Sequence, residues 1–315
     1  MYNGLSKVSA SIRRFKRPAT EAPLQGFSPI TRLSSEDIFI VGYPKSGNTW
    51  FQNLVAGVCY GVDPRLSPSA LTQHLVPDLS IQKWYQRYRT PTFFKSHALP
   101  CPEYRRVVYL LRDGRDVMVS YRHFREAVDH VAYDFLEFVS PGSELYPCHW
   151  AHHVDAWMQN PYDAHMLLIK YEDLLADPVR QLESFCQFAG IARETKHLEV
   201  IAKAASFRNL REKEVREDVG QPDRVFLPGA LFFRRGIVGS YKDEMPPEVL
   251  SRFLGHSAQT LRRHGYLLNS PEDEDSGVKT RACGLSPPGS PDARDLPYSP
   301  IKSLIPRFRD VRREL

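Results

Sequence analysis

The sequence predicts a single α/β domain whose parallel sheet is flanked by helices on both faces. Short apolar runs of strand length alternate with stretches in which apolar residues recur at helical spacing, a pattern typical of parallel sheets covered by helices. Three chemically informative residues, Lys45, His97 and Arg112, each follow shortly after one of these apolar runs. Because parallel α/β sheets bind ligands beyond the carboxyl ends of their strands, this placement favours a ligand site at that edge.

The predicted strands are four apolar runs, each of strand length and too short for a typical helix. They occupy residues 38–41, 92–94, 107–111 and 166–169. Helices are predicted where apolar residues recur every three or four positions, at residues 50–58, 117–124, 150–157, 179–189 and 249–261. Gly190 and Gly265 follow the last two patterns and are expected to end those helices.

Composition separates one central domain from two polar ends. The chain has 315 residues, of which 42% are hydrophobic, and this is enough for one large core. We expect the domain at residues 36–268, after a basic and loosely ordered lead-in at residues 1–35. Residues 269–315 are rich in proline, serine and charge, so we expect them to be disordered, because they cannot bury enough apolar surface to offset the entropy of ordering.

Charge and cysteine content bear on the compartment more than on the chemistry. The net charge of +5 suits a protein that binds a polyanion, and it also suits many proteins that bind none. The five cysteines are scattered without a C-x-x-C pair, which argues against a disulfide framework and favours the cytoplasm. No stretch approaches the ~18 apolar residues of a membrane span, and the N-terminus lacks an apolar signal core. We therefore expect a cytoplasmic protein with neither a membrane span nor a nucleic-acid partner.

The loop after the first predicted strand has the composition of an anion-binding loop. It reads Tyr43-Pro44-Lys45-Ser46-Gly47-Asn48-Thr49-Trp50. Backbone N–H groups of such a loop and of the helical turn after it point at a bound phosphate or sulfate, and Lys45 adds a positive charge. Gly42 and Gly47 are spaced as in the nucleotide P-loop, but Asn48 follows Gly47 and the lysine lies inside the loop. The sequence therefore predicts a P-loop-like fold without ordinary nucleoside-triphosphate hydrolysis.

This loop resembles the 5′-phosphosulfate loop of the sulfotransferases that use 3′-phosphoadenosine 5′-phosphosulfate (PAPS). Four further stretches resemble motifs of that family and follow in the same order over residues 36–266. They are Lys95-Ser96-His97 with Pro100, Arg112 with Ser120 eight positions later, Tyr171-Glu172-Asp173, and Phe233-Arg234-Arg235-Gly236 with Gly239. The resemblance implies a PAPS-dependent sulfotransferase that acts on a hydroxyl or amine of a small-molecule acceptor and needs no metal.

The resemblance also implies a role for each predicted catalytic residue. His97 would be the general base that removes the acceptor proton, since an imidazole titrates near neutral pH. Lys45 would neutralise the oxygen that leaves with the 5′-phosphate. Lys95 would face the transferring sulfuryl group.

By the same resemblance, two clusters would bind the nucleotide beyond the loop. Arginines are expected at the 3′-phosphate, because a guanidinium can donate two parallel hydrogen bonds to a terminal phosphate. The expected cofactor residues are Lys45, Ser46, Gly47, Asn48, Thr49 and Trp50 in the loop, Arg112, Ser120, Arg234, Arg235 and Gly236 around the 3′-phosphate, and Trp50, Tyr171 and Phe207 around the adenine.

Several positions depart from the family pattern. Ala205 stands where a threonine that contacts the adenine is usual, and Tyr241 replaces a tryptophan. Residues 242–247 lack the dimerisation pattern of animal members, so the oligomeric state is left open. The acceptor pocket is expected from the less family-like segments 64–90, 124–149 and 208–231, the last as a mobile lid, and the acceptor itself is left open.

Three other interpretations compete with this one. His149 and His153 lie one helical turn apart, but a zinc-protease glutamate and a third ligand are missing, so we predict no metal site. A P-loop kinase acting on a small molecule is a second possibility, and it would need Mg²⁺ where sulfuryl transfer does not. A third is a non-catalytic nucleotide-binding protein on the same fold.

Overall fold

A computed structural model describes residues 25–218 and 229–268, and its architecture confirms the predicted fold class. The centre is a four-stranded parallel sheet. From one edge to the other its strands are β4 (Phe93–Ser96), β2 (Ile38–Gly42), β5 (Arg106–Leu111) and β6 (His165–Lys170). Each predicted strand is present. The predicted C-terminal tail and the lead-in up to residue 24 lie outside the described residues.

A second, two-stranded sheet was not predicted from the sequence. It pairs β1 (Phe27–Pro29) with β3 (Trp84–Gln86) in antiparallel orientation, and β1 lies within the segment treated above as the lead-in. Each strand has three residues, which is too short for the alternation of apolar and polar residues that reveals a strand.

Helices occupy most of the remaining described chain. They are α1 (Asn48–Tyr60), α2 (Ser69–Leu75), α3 (Gly114–Asp129), α4 (Phe135–Val139), α5 (Trp150–Gln159), α6 (Tyr171–Ala176), α7 (Pro178–Ala189), α8 (Thr195–Ala204), α9 (Phe207–Asp218), α10 (Tyr241–Glu244) and α11 (Pro247–Arg263). The five predicted helices correspond to α1, α3, α5, α7 and α11. In the described part of the chain, no helix combines the length and the apolar composition that crossing a membrane requires.

β2, β4 and β5 read as continuous apolar runs because they are buried on both faces, whereas the edge strand β6 is partly exposed. Along β2, Phe39 and Val41 pack into a cluster with residues of α3, α5 and α11. The alternate residues Ile38 and Ile40 pack into a second cluster with residues of α1, α7 and α8. All four side chains are fully buried. One helical layer therefore covers each face of the sheet.

The strand register brings four loops to one edge of the sheet. Val41 lies opposite Ser96, Gly42 lies opposite Leu110, and Leu111 lies opposite Lys170, so all four strands end at nearly the same level. The chain moves from β2 to β4 on one side and then crosses to β5 on the other. This reversal opens a crevice beyond the carboxyl ends of β2 and β5, where parallel sheets bind ligands.

Candidate active site at the carboxyl edge of the sheet

The anion loop turns sharply between β2 and α1. Lys45 has a φ of 72° and Gly47 a φ of 101°, so two residues of this short loop adopt left-handed conformations. A Cβ at Gly47 would lie 2.9 Å from the Tyr171 ring, so glycine is required there both by conformation and by space. The hydroxyl oxygen of Ser46 is buried and has no hydrogen-bond partner in the described residues. Its donor capacity is therefore available to a ligand.

The Lys45 ammonium lies among aromatic rings and other cations. Its Nζ is 3.4 Å from the centre of the Phe232 ring and 4.6 Å from that of Phe124. Burial, followed by the positive charge of Arg112, lowers the pKa of Lys45 to about 7. A bound anion would raise the pKa of Lys45 again, so the structure favours the binding of negative charge beside this residue.

His97 is oriented by the backbone of the same loop. Its Nδ1 lies 2.7 Å from the carbonyl oxygen of Gly42, which also accepts a hydrogen bond from Asn48. A carbonyl only accepts, so Nδ1 carries the proton and Nε2 keeps its lone pair. Burial, and then the Lys95 charge, lowers the pKa of His97 to about 4. The ring is therefore neutral at neutral pH and can accept a proton through Nε2.

Lys95 is held by a carboxylate that the sequence analysis missed. Its Nζ is 2.8 Å from Oδ2 of Asp78 and 3.3 Å from the hydroxyl oxygen of Thr49. Asp78 also accepts from the backbone and the side chain of Ser80. Burial acts to raise the pKa of Asp78, but Lys95 and His97 outweigh it and lower it to about 2. Since an ammonium has three N–H donors, one of those of Lys95 remains for a ligand.

His153 supports the end of β4 from behind. It is fully buried, its Nδ1 accepts from Tyr109, and its Nε2 lies within 3.3 Å of the carbonyl oxygens of His97 and Ala98. Burial, with the nearby His97, lowers the pKa of His153 to about 3. The described residues contain no cluster of three or more metal-ligating side chains. His153 therefore serves the packing of the strand end, with both ring nitrogens in use.

Arg112 joins the loop to the C-terminal part of the site. One of its terminal nitrogens donates to the carbonyl oxygen of Lys45 and the other to that of Ile237, each at 3.1 Å. Its guanidinium lies 4.1 Å from the centre of the Tyr171 ring, and its buried Nε has no partner in the described residues. Arg112, which is predicted to bind the 3′-phosphate, is thus held at the crevice.

A carboxylate on α3 fixes the glycine-containing turn that follows Arg235. Asp116 accepts hydrogen bonds from the backbone N–H groups of Gly239 and Tyr241 and from the hydroxyl of Ser240. Its partners lie more than a hundred residues away in sequence, which explains why the sequence analysis missed it.

A cavity of about 240 Å³ joins the predicted lysine, serine and arginine. Lys45, Ser120 and Arg234 line it together with His123 and Arg211, two residues that the sequence analysis did not select. Ser120 and His123 lie three residues apart on α3 and therefore share one helix face, which is the signal that could have identified His123. The wall has the composition of an anion site.

The predicted adenine residues lie beside the loop. The Trp50 indole donates a 2.8 Å hydrogen bond to the carbonyl oxygen of Ala205 and meets Tyr171 edge to face. Phe207 meets Phe233 edge to face, and a Cβ at Gly236, where φ is 64°, would overlap the Phe207 ring. Ala205 replaces the family threonine, but its backbone positions the indole.

The segment expected as a mobile lid contains a helix in its described part. On α9, Glu214 accepts hydrogen bonds from the backbone N–H groups of Phe232 and Phe233, and Arg211 donates to the carbonyl oxygen of Arg234. Lys213 of the same helix is buried and reaches Asn53 and Pro64. In this structure α9 thus anchors the stretch that carries Arg234, and residues 219–228 lie outside the described part.

Comparison with protein families identifies one match over most of the chain. The family described as "Sulfotransferase domain" matches residues 35–265. A 3-beta-hydroxysteroid sulfotransferase of Cavia porcellus is 27% identical over 250 residues, which are 70% of this chain and 84% of the relative. Cytosolic sulfotransferase 11 of Arabidopsis thaliana is 28% identical over 248 residues, which are 69% of this chain and 70% of the relative.

Solved structures share the fold. A retinol dehydratase in complex with androsterone and the inactive cofactor PAP superposes with a TM-score of 0.58 at 18% identity, over 76% of this chain and 84% of that one. The mouse sulfotransferase SULT7A1 complexed with PAP gives a TM-score of 0.54 at 21% identity, over 74% of this chain and 86% of that one.

Proposed function

The chain belongs to the sulfotransferase family, a family of enzymes, and from that premise we propose that it transfers a sulfuryl group from PAPS to a small acceptor. The observation that carries the proposal is the hydrogen bond between His97 Nδ1 and the carbonyl oxygen of Gly42. This contact supports the proposal because it orients a neutral imidazole beside the anion loop with its Nε2 lone pair available.

The residues at the crevice fit the PAPS group. The hydroxyl of Ser46 and the Nε of Arg112 and of Arg234 are buried without hydrogen-bond partners in the described residues. Unsatisfied donors of this kind suit an anionic ligand. Lys45, Ser120 and Arg234 share one cavity wall, which favours a ligand with negative charge at this position. When bound, PAPS would supply the activated sulfuryl group.

His97 acts on the acceptor in this proposal. Its Nε2 takes the proton of the acceptor hydroxyl or amine as the new bond to sulfur forms, while the proton on Nδ1 stays there and remains hydrogen-bonded to the Gly42 carbonyl. The depressed pKa of His97 keeps the ring unprotonated before the reaction. The Gly42 contact fixes the tautomer and the plane of the ring.

The two lysines stabilise the charge that moves in the reaction. Lys45, in its protonated form, would stabilise the oxygen that departs with the 5′-phosphate, and Lys95 would donate its remaining N–H to the sulfuryl group. Asp78 and Thr49 hold Lys95 in place before any ligand binds. Such preorganisation avoids reorienting the charges during the reaction.

The arginines, with Ser120 and the Gly236 backbone, would recognise the 3′-phosphate, and Trp50, Tyr171 and Phe207 the adenine. For the acceptor we propose a small apolar alcohol as the first class to test, because curated relatives are named for hydroxysteroids. We also propose a cytoplasmic location, supported by four free cysteines in the described residues and by one relative that is named cytosolic.

Thermal unfolding with two nucleotides tests the proposal. Adenosine 3′,5′-bisphosphate at about 100 times its dissociation constant should stabilise the protein by roughly 2.7 kcal/mol, whereas ADP at the same concentration should stabilise it far less. Equal stabilisation by both would contradict the 3′-phosphate assignment. Turnover with labelled PAPS and an alcohol acceptor should persist in EDTA, and loss of turnover there would favour the kinase alternative.

A further inference from the structure

One carboxylate contacts two arginines and a histidine around the proposed 3′-phosphate position. Oε2 of Glu244 accepts a 2.6 Å hydrogen bond from Arg234 and lies 2.9 Å from Nε2 of His123. Oε1 accepts a 2.7 Å hydrogen bond from Arg235. Two oxygens thus serve three donors from α3 and from the 234–235 segment. A terminal phosphate would make the same kind of contacts to the same groups.

Glu244 is firmly ionised in this position. Its side chain is 19% exposed, against 27% for Arg234 and 38% for Arg235. Partial burial acts to raise the pKa of Glu244, but hydrogen bonds from Arg234, Arg235 and His123 outweigh it and lower the pKa to about 2. Glu244 therefore carries a full negative charge beside Arg234, Arg235 and His123 across the physiological pH range.

A neighbouring cavity borders two of these three side chains but not Glu244. Arg234 and His123 line it together with Lys45 and Ser120, whereas no carboxylate of the described residues does. A phosphate in the cavity and Glu244 outside it would compete for the same N–H donors. The Nε–H of Arg234 has no partner in the described residues, so the competition concerns its Nη1–H group, which donates to Glu244.

We propose that Glu244 is an internal counter-charge of the cofactor site, which the 3′-phosphate displaces from the arginines when the nucleotide binds. This inference rests on the proposed function. Binding exchanges one anion for another, so Glu244 lowers the affinity for both the donor and its desulfated product. The returning carboxylate helps to expel the product, and product release limits turnover in many enzymes.

Binding calorimetry and stopped-flow dissociation on the full chain test the proposal with adenosine 3′,5′-bisphosphate as the probe. Glu244→Gln should lower the dissociation constant about tenfold and slow dissociation, because the amide keeps the shape and removes the competing charge. ADP has no 3′-phosphate, so its dissociation constant should change less than twofold. An unchanged or raised dissociation constant for the bisphosphate would overturn the proposal and make Glu244 a support for the arginines.

Asp243→Asn is the matched control. Asp243 is the adjacent residue, its side chain is 69% exposed, and its carboxylate is 3.7 Å from Arg235. The substitution therefore changes the net charge by the same amount but leaves the Glu244 carboxylate on the arginines. The dissociation constant of the Asp243→Asn variant for the bisphosphate should stay within twofold of the value for the unsubstituted protein. An equal gain in both variants would mean that net charge alone is responsible, which would also overturn the proposal.

A second variant keeps the test valid if Glu244→Gln folds poorly. Glu244→Asp retains the charge on a side chain one methylene shorter, which we expect not to reach Arg234, Arg235 and His123 together, and it should lower the dissociation constant about threefold. No change in that variant would count against the proposal. If the unsubstituted protein fails to bind the bisphosphate, the proposed function fails first, so the two failures are distinguishable.

Discussion

Lys95 and Arg235 each pair with a carboxylate, but the two ion pairs differ in how deeply they are buried. The Lys95–Asp78 pair is almost fully buried, with side-chain exposures of 8% and 2%. In the Arg235–Glu244 pair the exposures are 38% and 19%. Breaking a buried pair leaves an uncompensated charge, whereas an exposed pair contributes little and can change partners.

The comparison extends to the two halves of the site. In the proposed transfer half, Lys95 and His97 are held by Asp78, Thr49 and the Gly42 carbonyl, and Lys45 lies against the rings of Phe232 and Phe124. The phosphate half, Arg112, Ser120, Arg234 and Arg235, is assembled from distant segments and is partly neutralised by carboxylates of the chain. We infer that the transfer half is ready before the ligand arrives and governs turnover, while the phosphate half exchanges partners and governs affinity.

Replacing His97 should give the largest separation between turnover and affinity. In His97→Ala we expect turnover to fall by about two to four orders of magnitude, the usual range for loss of a general base. The dissociation constant of adenosine 3′,5′-bisphosphate should stay unchanged, because Nε2 faces the acceptor. Steady-state kinetics and calorimetry measure the two quantities. Parallel losses in both would mean that His97 is structural and that the halves are not separate.

Asp78→Asn should reduce stability far more than substitution of an exposed carboxylate. It leaves the Lys95 ammonium buried without its counter-charge, so we expect a loss of about 3–5 kcal/mol in the free energy of unfolding. Urea unfolding at pH 7 measures it, with Asp243→Asn as the exposed control, expected to change by less than about 1 kcal/mol. Similar losses in the two variants would remove the basis of the comparison.

Lys45→Ala should affect both halves, because Lys45 belongs to the loop and also lines the cavity. We expect a loss of about 3–4 kcal/mol in transition-state stabilisation together with weaker bisphosphate binding. Lys45→Arg should restore only part of the lost activity and affinity, since a planar guanidinium cannot replace a compact ammonium in a tight loop. Near-normal activity of Lys45→Ala with PAPS would withdraw the main support for the proposed donor.

Arg234→Ala should weaken affinity and leave turnover at saturating PAPS unchanged. Loss of a hydrogen bond to a charged group costs about 1.5–3 kcal/mol, which corresponds to a ten- to hundredfold rise in the dissociation constant. Arg208→Ala is the control, because its side chain is 87% exposed and pairs with Glu212 on the same helix. A fall in turnover at saturation would show that Arg234 also acts in the transfer step.

The smallest expected effect is proton uptake on cofactor binding. The pKa of Lys45 is lowered to about 7, and an anionic ligand favours the protonated form, so binding at pH 8 should take up at most one proton. Affinity should accordingly weaken as pH rises above about 7. Calorimetry in buffers of different ionisation enthalpy measures the uptake. Lys45→Arg should abolish it, because arginine stays charged.

Local chemistry made much of this site predictable from the sequence. The loop residues, His97 and Arg112 follow apolar runs that are buried on both faces. Their positions in the sequence alone therefore predicted that they lie beyond the carboxyl ends of strands, at one edge of the sheet. Asp78 and Glu244 could not be found in that way. Neither carboxylate belongs to a recognisable motif, and the partners of each become apparent only once strands pair or distant segments meet. The two short strands β1 and β3 were missed for a related reason, since their pairing is specified by contacts rather than by pattern.

The Asp116 contacts have a consequence for the order in which the protein assembles. Gly239 lies 123 positions beyond Asp116, so closing this contact costs loop entropy that the local strand and helix contacts avoid. The backbone N–H groups of Gly239 and Tyr241 donate to a side chain rather than to a strand neighbour. Their hydrogen exchange would therefore report local opening of this turn separately from unfolding of the sheet. The sheet edge can be complete while the turn beside Arg235 is still undocked.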